Sequence, residues 1–187
     1  MNGRLQVGDS FLLMAALAGF LDESGAAPLF FAAAALHEAG HALAVYACGG
    51  TVTVLRLTAL GGVMRYRLPK LSMLSDVWIA AAGPLAGIGM AWLTAQFGWY
   101  RFAGANFLLS MLNLLPVRPL DGGQMVSALL RGRRMQFALE AICCLLLGLC
   151  AAAMLKRGGG GSLLVFWTAL AVNLRKNLQK CRIRYKI

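Results

Sequence analysis

The sequence predicts an all-α polytopic membrane protein, with about six transmembrane helices and a small membrane-surface β-hairpin. Three observations predict it. Of 187 residues, 59% are apolar and only 13% are charged, whereas soluble domains are about half apolar and a quarter charged. The apolar residues are gathered in runs that approach the roughly 20 needed to cross a bilayer. The basic residues lie between those runs and in the tail from Arg175 to Lys186, where lysine and arginine hold the cytoplasmic ends of spans. At this length one compact domain, residues 1–187, is enough.

Taken in order, residues 5–21 form the weakest span, because they contain Gln6 and Asp9. They read as a retained first span rather than a signal peptide, since Asp22 and Glu23 stand where a small-residue cleavage site belongs. Residues 28–47 and 76–97 are clear spans. Between them, residues 51–68 are rich in β-branched residues and carry a Gly61-Gly62 turn signal, so they read as a hairpin. Residues 102–115 are a short span ending at Pro116, expected to give way to irregular backbone, which is tolerated at that depth only where protein or water satisfies it. Residues 135–155 form the fifth span. Gly158–Ser162 read as a flexible connector, residues 162–174 as a shorter sixth span, and residues 175–187 as a basic cytoplasmic tail. With both termini in the cytoplasm, this threading leaves 15 of the 18 basic residues on the cytoplasmic side. That asymmetry supports the topology.

The net charge of +11 raises the question of nucleic acid, but its placement at span ends rather than along one face argues for the lipid bilayer as partner and against nucleic acid. The five cysteines form no CxxC pair and no zinc-ligand spacing, so they imply neither a disulfide framework nor a thiolate metal site.

Chemistry enters at His37-Glu38-Ala39-Gly40-His41, an HExxH motif inside the second span. Two histidines four residues apart share one helix face and can bind one metal ion. Glu38 beside them is placed to take a proton from a metal-activated water. As these are both of the chain's histidines, chance spacing with the glutamate has odds on the order of two in ten thousand. A reading of these three residues as merely structural must also carry polar and ionisable groups at mid-membrane, at about 2.5–3.5 kcal/mol for each charged one.

A catalytic zinc takes three protein ligands and keeps one position open. No histidine remains for the third. Asp121 is set apart from the other carboxylates: it follows Asn113-Leu-Leu-Pro116-Val-Arg-Pro119-Leu and precedes Gly122-Gly123. Prolines and glycines there force a turn that can bring a carboxylate back toward a neighbouring helix. The competing reading is that Asp121 merely caps a short helix at 123–130.

HEAGH in one span and NLLPVRPLDGG after a later one resemble the site-2 protease family of intramembrane zinc metalloproteases. The likeness is nearest to the sporulation branch, the stage IV sporulation protein FB type. The resemblance implies that His37, His41 and Asp121 bind Zn(2+) and that Glu38 is the catalytic base. It also implies that Asn113 positions substrate or polarises the scissile carbonyl; interhelical hydrogen bonding is the alternative for that residue. Ala82-Gly83-Pro84-Leu85 resembles the family's AGPL segment, where small residues let helices pack closely. Relatives often carry an asparagine shortly afterwards, and Ala86 and Gly87 stand here instead. The family's sporulation members commonly end in a CBS domain, which the expectation for this chain leaves out.

By the same resemblance the substrate is a membrane-tethered protein cut near the cytoplasmic face in regulated intramembrane proteolysis. In the sporulation branch that is a pro-sigma factor such as pro-sigma-K, with membrane inhibitory proteins as further partners. The location implied is the bacterial cell membrane, in particular the membrane around the forespore. A helical substrate must unwind to be cut, and the hairpin strand Thr51, Val52, Thr53, Val54, Leu55 offers an edge to hold it extended. The alternative is a surface hairpin whose Arg56, Arg65 and Arg67 touch anionic headgroups. Two other functions are open: a catalytically silent metal-binding partner protein, which would usually lose Glu38, and a metal transporter, which would more often distribute ligands along a path.

Overall fold

The computed structural model describes residues 4–58, 61–70, 72–130, 132–156, 164 and 166–175. It divides into two compact units, Met1–Asn113 and Leu114–Ile187.

The first unit is built on α2 (Ala27–Ala47) and α3 (Met73–Gln96), the two expected central spans, both long and apolar enough to cross a bilayer. Entry into α2 is fixed locally. The Asp22 carboxylate accepts the backbone N–H groups of Ala26 at 3.0 Å and Ala27 at 2.7 Å, and these bonds, with that from the Ser24 hydroxyl, pull its pKa down to about 2. At the other end Gly49 turns the chain at φ 73°, a left-handed conformation that glycine takes without steric cost. α3 opens on a capping box: Ser72 Oγ accepts from Ser75 N at 3.0 Å and Ser75 Oγ from Ser72 N at 3.2 Å.

Small residues bring α2 and α3 together. A Cβ on Gly40 would sit 2.8 Å from both the carbonyl oxygen of Ala82 and the Cβ of Ala86, well inside van der Waals contact of about 3.5–4.0 Å. The AGPL segment thus does what its composition suggests, and Ala86 packs on Gly40. α4 (Tyr100–Asn113) runs beside α3. Its buried polar groups are turned onto their own helix: Asn106 donates to Phe102 O at 2.9 Å and Ser110 to Asn106 O at 2.8 Å.

The hairpin expected at 51–68 is present as β2 (Thr51–Thr58) and β3 (Gly61–Arg67), paired antiparallel. A third strand joins it. β1 (Arg4–Val7) pairs in parallel with Val54–Leu57, giving the order β1-β2-β3. This moves the start of the span expected at 5–21 and shortens it. Its first residues are a strand, and α1 begins only at Asp9 and ends at Leu21. Thirteen residues rise about 20 Å, short of a 30 Å hydrocarbon core. α4, with 14 residues, is short for the same reason. Among the described residues three helices, α2, α3 and α6, have the length and apolarity to cross.

In the second unit, a turn at 114–120 leads into α5 (Asp121–Leu129), followed by α6 (Arg133–Lys156) and a helical segment at residues 166–175. Val117, Cys144 and Leu170 form its buried core. Arg118 lies at its centre: Nε donates to Glu140 Oε1 at 2.6 Å, the guanidinium stands 5.5 Å from the Phe137 ring centroid, and its carbonyl accepts from Asn173 at 2.6 Å. The connector at 158–162 and residues 176–187 of the tail lie outside the described residues.

Candidate metal centre and active site

Helical spacing places His37 and His41 on one buried face of α2. Their Nε2 atoms lie 3.1 Å apart, with the ring planes at 83°. Two nitrogens each 2.0–2.1 Å from a tetrahedral zinc would stand about 3.3 Å apart, so this pair already has the bite of a metal site. The tautomer fits as well. His41 Nδ1 lies 2.7 Å from Ile79 O. A carbonyl can only accept, so Nδ1 carries the proton and the Nε2 lone pair faces the site. This is the outer hydrogen bond by which ligating histidines are oriented. Ile79 O lies on α3, one residue before Ala80, whose carbonyl is the one that the ring nitrogen of Pro84 leaves without a helical donor.

The same neighbour sets the tolerance. A Cβ on Gly83 would lie 2.6 Å from Cε1 and 2.8 Å from Cδ2 of His41, and closer still to Nε2. Only a residue without a side chain fits there. The AGPL resemblance located this glycine; its contact with the imidazole was not legible, because the partner lies on another helix.

Glu38, half-buried on α2, faces the sheet. A Cβ on Gly62 would lie 2.5 Å from Oε1 and 2.7 Å from Oε2, so the carboxyl packs directly on the backbone of β3. Sequence reasoning read Gly61-Gly62 as a turn signal alone. Gly61, at φ 118°, fits that reading, whereas Gly62 is the seat of the glutamate. Of the strand suggested as the substrate edge, Thr51–Leu55, the last two residues are covered on both sides. β2 is the middle strand, with Val54 and Leu55 paired to Arg4 and Leu5 on one side and to Arg65 and Met64 on the other, so its backbone groups there are spent. Among the strands described, β3 has a neighbour on one side only.

Asp121 lies in the second unit, buried at the first position of α5. It does not cap a helix beginning at 123: the helix starts at Asp121, and the N-cap is Leu120, with no side-chain cap. The two glycines after it let the first turn of α5 fold against the preceding turn. A Cβ on Gly122 would lie 2.7 Å from Leu115 O, and one on Gly123 would lie 2.5 Å from Arg118 N. Asn113 is the last residue of α4, half-buried, and donates to Leu109 O at 3.1 Å within its own helix.

Comparisons with known proteins agree with this chemistry. Residues 90–154 match the family model described as Peptidase family M50. Rip3 of Mycobacterium tuberculosis, provisionally named a zinc metalloprotease, is 34% identical over 123 residues, which is 57% of this chain and 31% of that protein. Zinc metalloprotease MJ0392 of Methanocaldococcus jannaschii is 34% identical over 115 residues, 54% of this chain and 33% of that one. The chain thus spans about a third of the curated relatives it matches. In fold it is similar to a solved structure, the site-2 protease from Methanocaldococcus jannaschii, with a TM-score of 0.56 and 23% identity, covering 91% of this chain and 85% of that one. The family model and the relatives are thus peptidases and zinc metalloproteases by name, and the likeness to a site-2 protease is one of fold.

Proposed function

We propose that this chain is a zinc metalloendopeptidase of the site-2 protease type, hydrolysing a peptide bond of a membrane-associated protein. The observation that carries this reading is the pairing of His37 and His41 Nε2 at 3.1 Å, with Glu38 between them in sequence and seated against β3. His37, His41 and Asp121 would hold the zinc, two nitrogens and an oxygen being the donors a catalytic zinc takes. When bound, zinc polarises the scissile carbonyl and makes water acidic enough to attack at neutral pH. Glu38 accepts the proton of the attacking water and returns it to the leaving amine. Asn113, with a second amide N–H to donate, would steady the carbonyl oxygen or the substrate backbone.

The substrate has to present an extended peptide at Glu38. The outer edge of β3 supports this, since a strand added there runs past Gly62. Cleavage near the cytoplasmic face, six crossings with both termini in the cytoplasm, and action as one protease domain belong to the same reading. α2, α3 and α6 would be full crossings, and α1, α4 and residues 162–174 shorter ones. The motif resemblance to the sporulation branch extends it to regulated intramembrane proteolysis of a membrane-tethered pro-sigma factor in the membrane around the forespore.

The test is Glu38→Gln. This variant is expected to retain zinc, measured by metal analysis of the purified protein, and to lose cleavage of a co-expressed membrane-tethered substrate. Cleavage at the normal rate would remove Glu38 from the mechanism.

A further inference from the structure

The β-sheet has two chemically opposite faces, and a bulge makes them so. β3 alternates regularly: Gly61, Val63, Arg65 and Arg67 are exposed, while Gly62, Met64 and Tyr66 are half-buried. Met64 and Tyr66 pack toward the core around Val45, and Gly62 lies on Glu38. In β2 the register slips between Val52 and Val54, so that Val52 pairs with Tyr66 but Val54 with Arg65. Paired residues share a face. The slip therefore puts Val54 and Arg56 on the side of Arg65 and Arg67, and β1 adds Arg4 opposite Val54. Four guanidinium groups, Arg4, Arg56, Arg65 and Arg67, occupy one side of a three-stranded sheet. Among the described residues no carboxylate is paired with any of them.

Their placement along the strand gives this face a direction. The carbonyl of Arg67 lies close to Gly50, just past the end of α2. Glu38, which Gly62 covers, is nine residues back from Ala47, a rise of about 14 Å. Arg67 and Arg65 thus descend β3 from the end of α2 toward the catalytic carboxylate, about 7 Å apart.

We propose that this face selects the substrate: Arg65 and Arg67 are specificity residues for an extended segment with two carboxylate side chains two positions apart. The inference rests on the reading that β3 receives the substrate strand, and it names the class of strand. A strand hydrogen-bonded to the β3 edge puts alternate side chains beside Arg65 and Arg67, with Cβ atoms about 4.5–5.5 Å away. Two residues along the added strand match two along β3, so the repeat of the carboxylates equals that of the guanidiniums. Gly62 is three residues from Arg65 and five from Arg67, so the acidic pair lies three and five residues from the bond at Glu38. Lipid headgroups would account for Arg67 at the level of the helix end. They do not account for a row that continues to Arg56, which pairs with Val63 beside Gly62.

The test uses the full chain carrying Glu38→Gln, loaded with zinc, in phosphatidylcholine nanodiscs. The probes are membrane-anchored peptides identical except for Asp, Asn or Lys at two positions two apart. The Asp form is expected to bind about tenfold tighter than the Asn form, within the range two cross-strand ion pairs give. Arg65→Glu with Arg67→Glu is expected to reverse the order in favour of Lys, and Arg65→Lys with Arg67→Lys to keep the original order. Equal binding of the three peptides, or binding of none, overturns the proposal. So does an affinity that follows phosphatidylglycerol added to the nanodisc rather than peptide charge, which would give the face to lipid. Because binding is read without cleavage, an Asp preference in a chain that never cuts, even with Glu38 intact, would sink the protease reading and leave this one standing.

Discussion

Gly83→Ala tests the metal centre without replacing any proposed ligand. The new methyl carbon would lie 2.6 Å from Cε1 and 2.8 Å from Cδ2 of His41. Ordinary carbon contacts are about 3.5 Å or more, so the two groups must separate by about 1 Å. The backbone of α3 can supply that distance only by drawing away from α2, which opens the close packing of Ala82 and Ala86 on Gly40. The imidazole cannot rotate away without giving up the 2.7 Å bond from Nδ1 to Ile79 O. Overpacking of this kind costs about 1–3 kcal/mol of stability, and loss of an orienting partner costs about 10–100-fold in metal affinity. Zinc affinity is expected to fall by at least that factor, measured by competition with a chromophoric chelator in detergent. The control is Gly89→Ala on the same helix, where a Cβ meets nothing within 4 Å; it should bind zinc as the parent does and be slightly stabilised, as alanine is the better helix former. If Gly83→Ala holds zinc as tightly as Gly89→Ala does, His41 is not the ligand, or not in this rotamer.

Gly62→Ala addresses the proposed base, Glu38, instead. A methyl 2.5–2.7 Å from the carboxylate oxygens, with Glu38 supplying its three nearest atoms, displaces that side chain first, so cleavage should fall about 100-fold at unchanged zinc content, the two being measured on one preparation. Asp121→Ala is expected to lower zinc occupancy, and unchanged metal content would remove it from the ligand set. Glu140→Gln leaves the half-buried Arg118 without its charge partner, which should destabilise the second unit by about 1–3 kcal/mol, read by thermal unfolding in detergent. An unchanged midpoint would mean the pair is solvated and carries little.

How much of this was legible in the sequence follows from the range over which each determinant acts. α2, α3 and α6 were plain because apolarity over about 20 residues is a property of the segment itself. HExxH was plain because both imidazoles and the carboxylate ride on one helix, where spacing alone decides which side chains meet. Residues 5–21 were misjudged because Arg4–Val7 finds its partner some fifty residues away in β2; a four-residue strand added in parallel has no local signature strong enough to cut it from the apolar run that follows. The same reason explains why the cover on Val54–Leu57 was not legible: the strand that pairs there lies on the far side of α1 and α2 in the chain.

The glycines make the sharper case. Gly40, Gly62 and Gly83 read locally as a motif spacer, a turn residue and a packing residue. In the fold each is defined by what would collide with a side chain there: a carbonyl of α3, the Glu38 carboxyl and the His41 imidazole. All three collisions converge on α2 within one turn of HExxH. The helix that carries HExxH is therefore held by backbone surfaces on two sides, α3 against the histidines and β3 against the glutamate. It follows that base and ligand can be perturbed separately. A side chain grown from the sheet should disable the proton transfer and spare the metal, whereas one grown from α3 should loosen the metal first. A single glycine whose substitution removed both together would mean that sheet and helix do not grip α2 independently, and the division of labour argued from these contacts would fail.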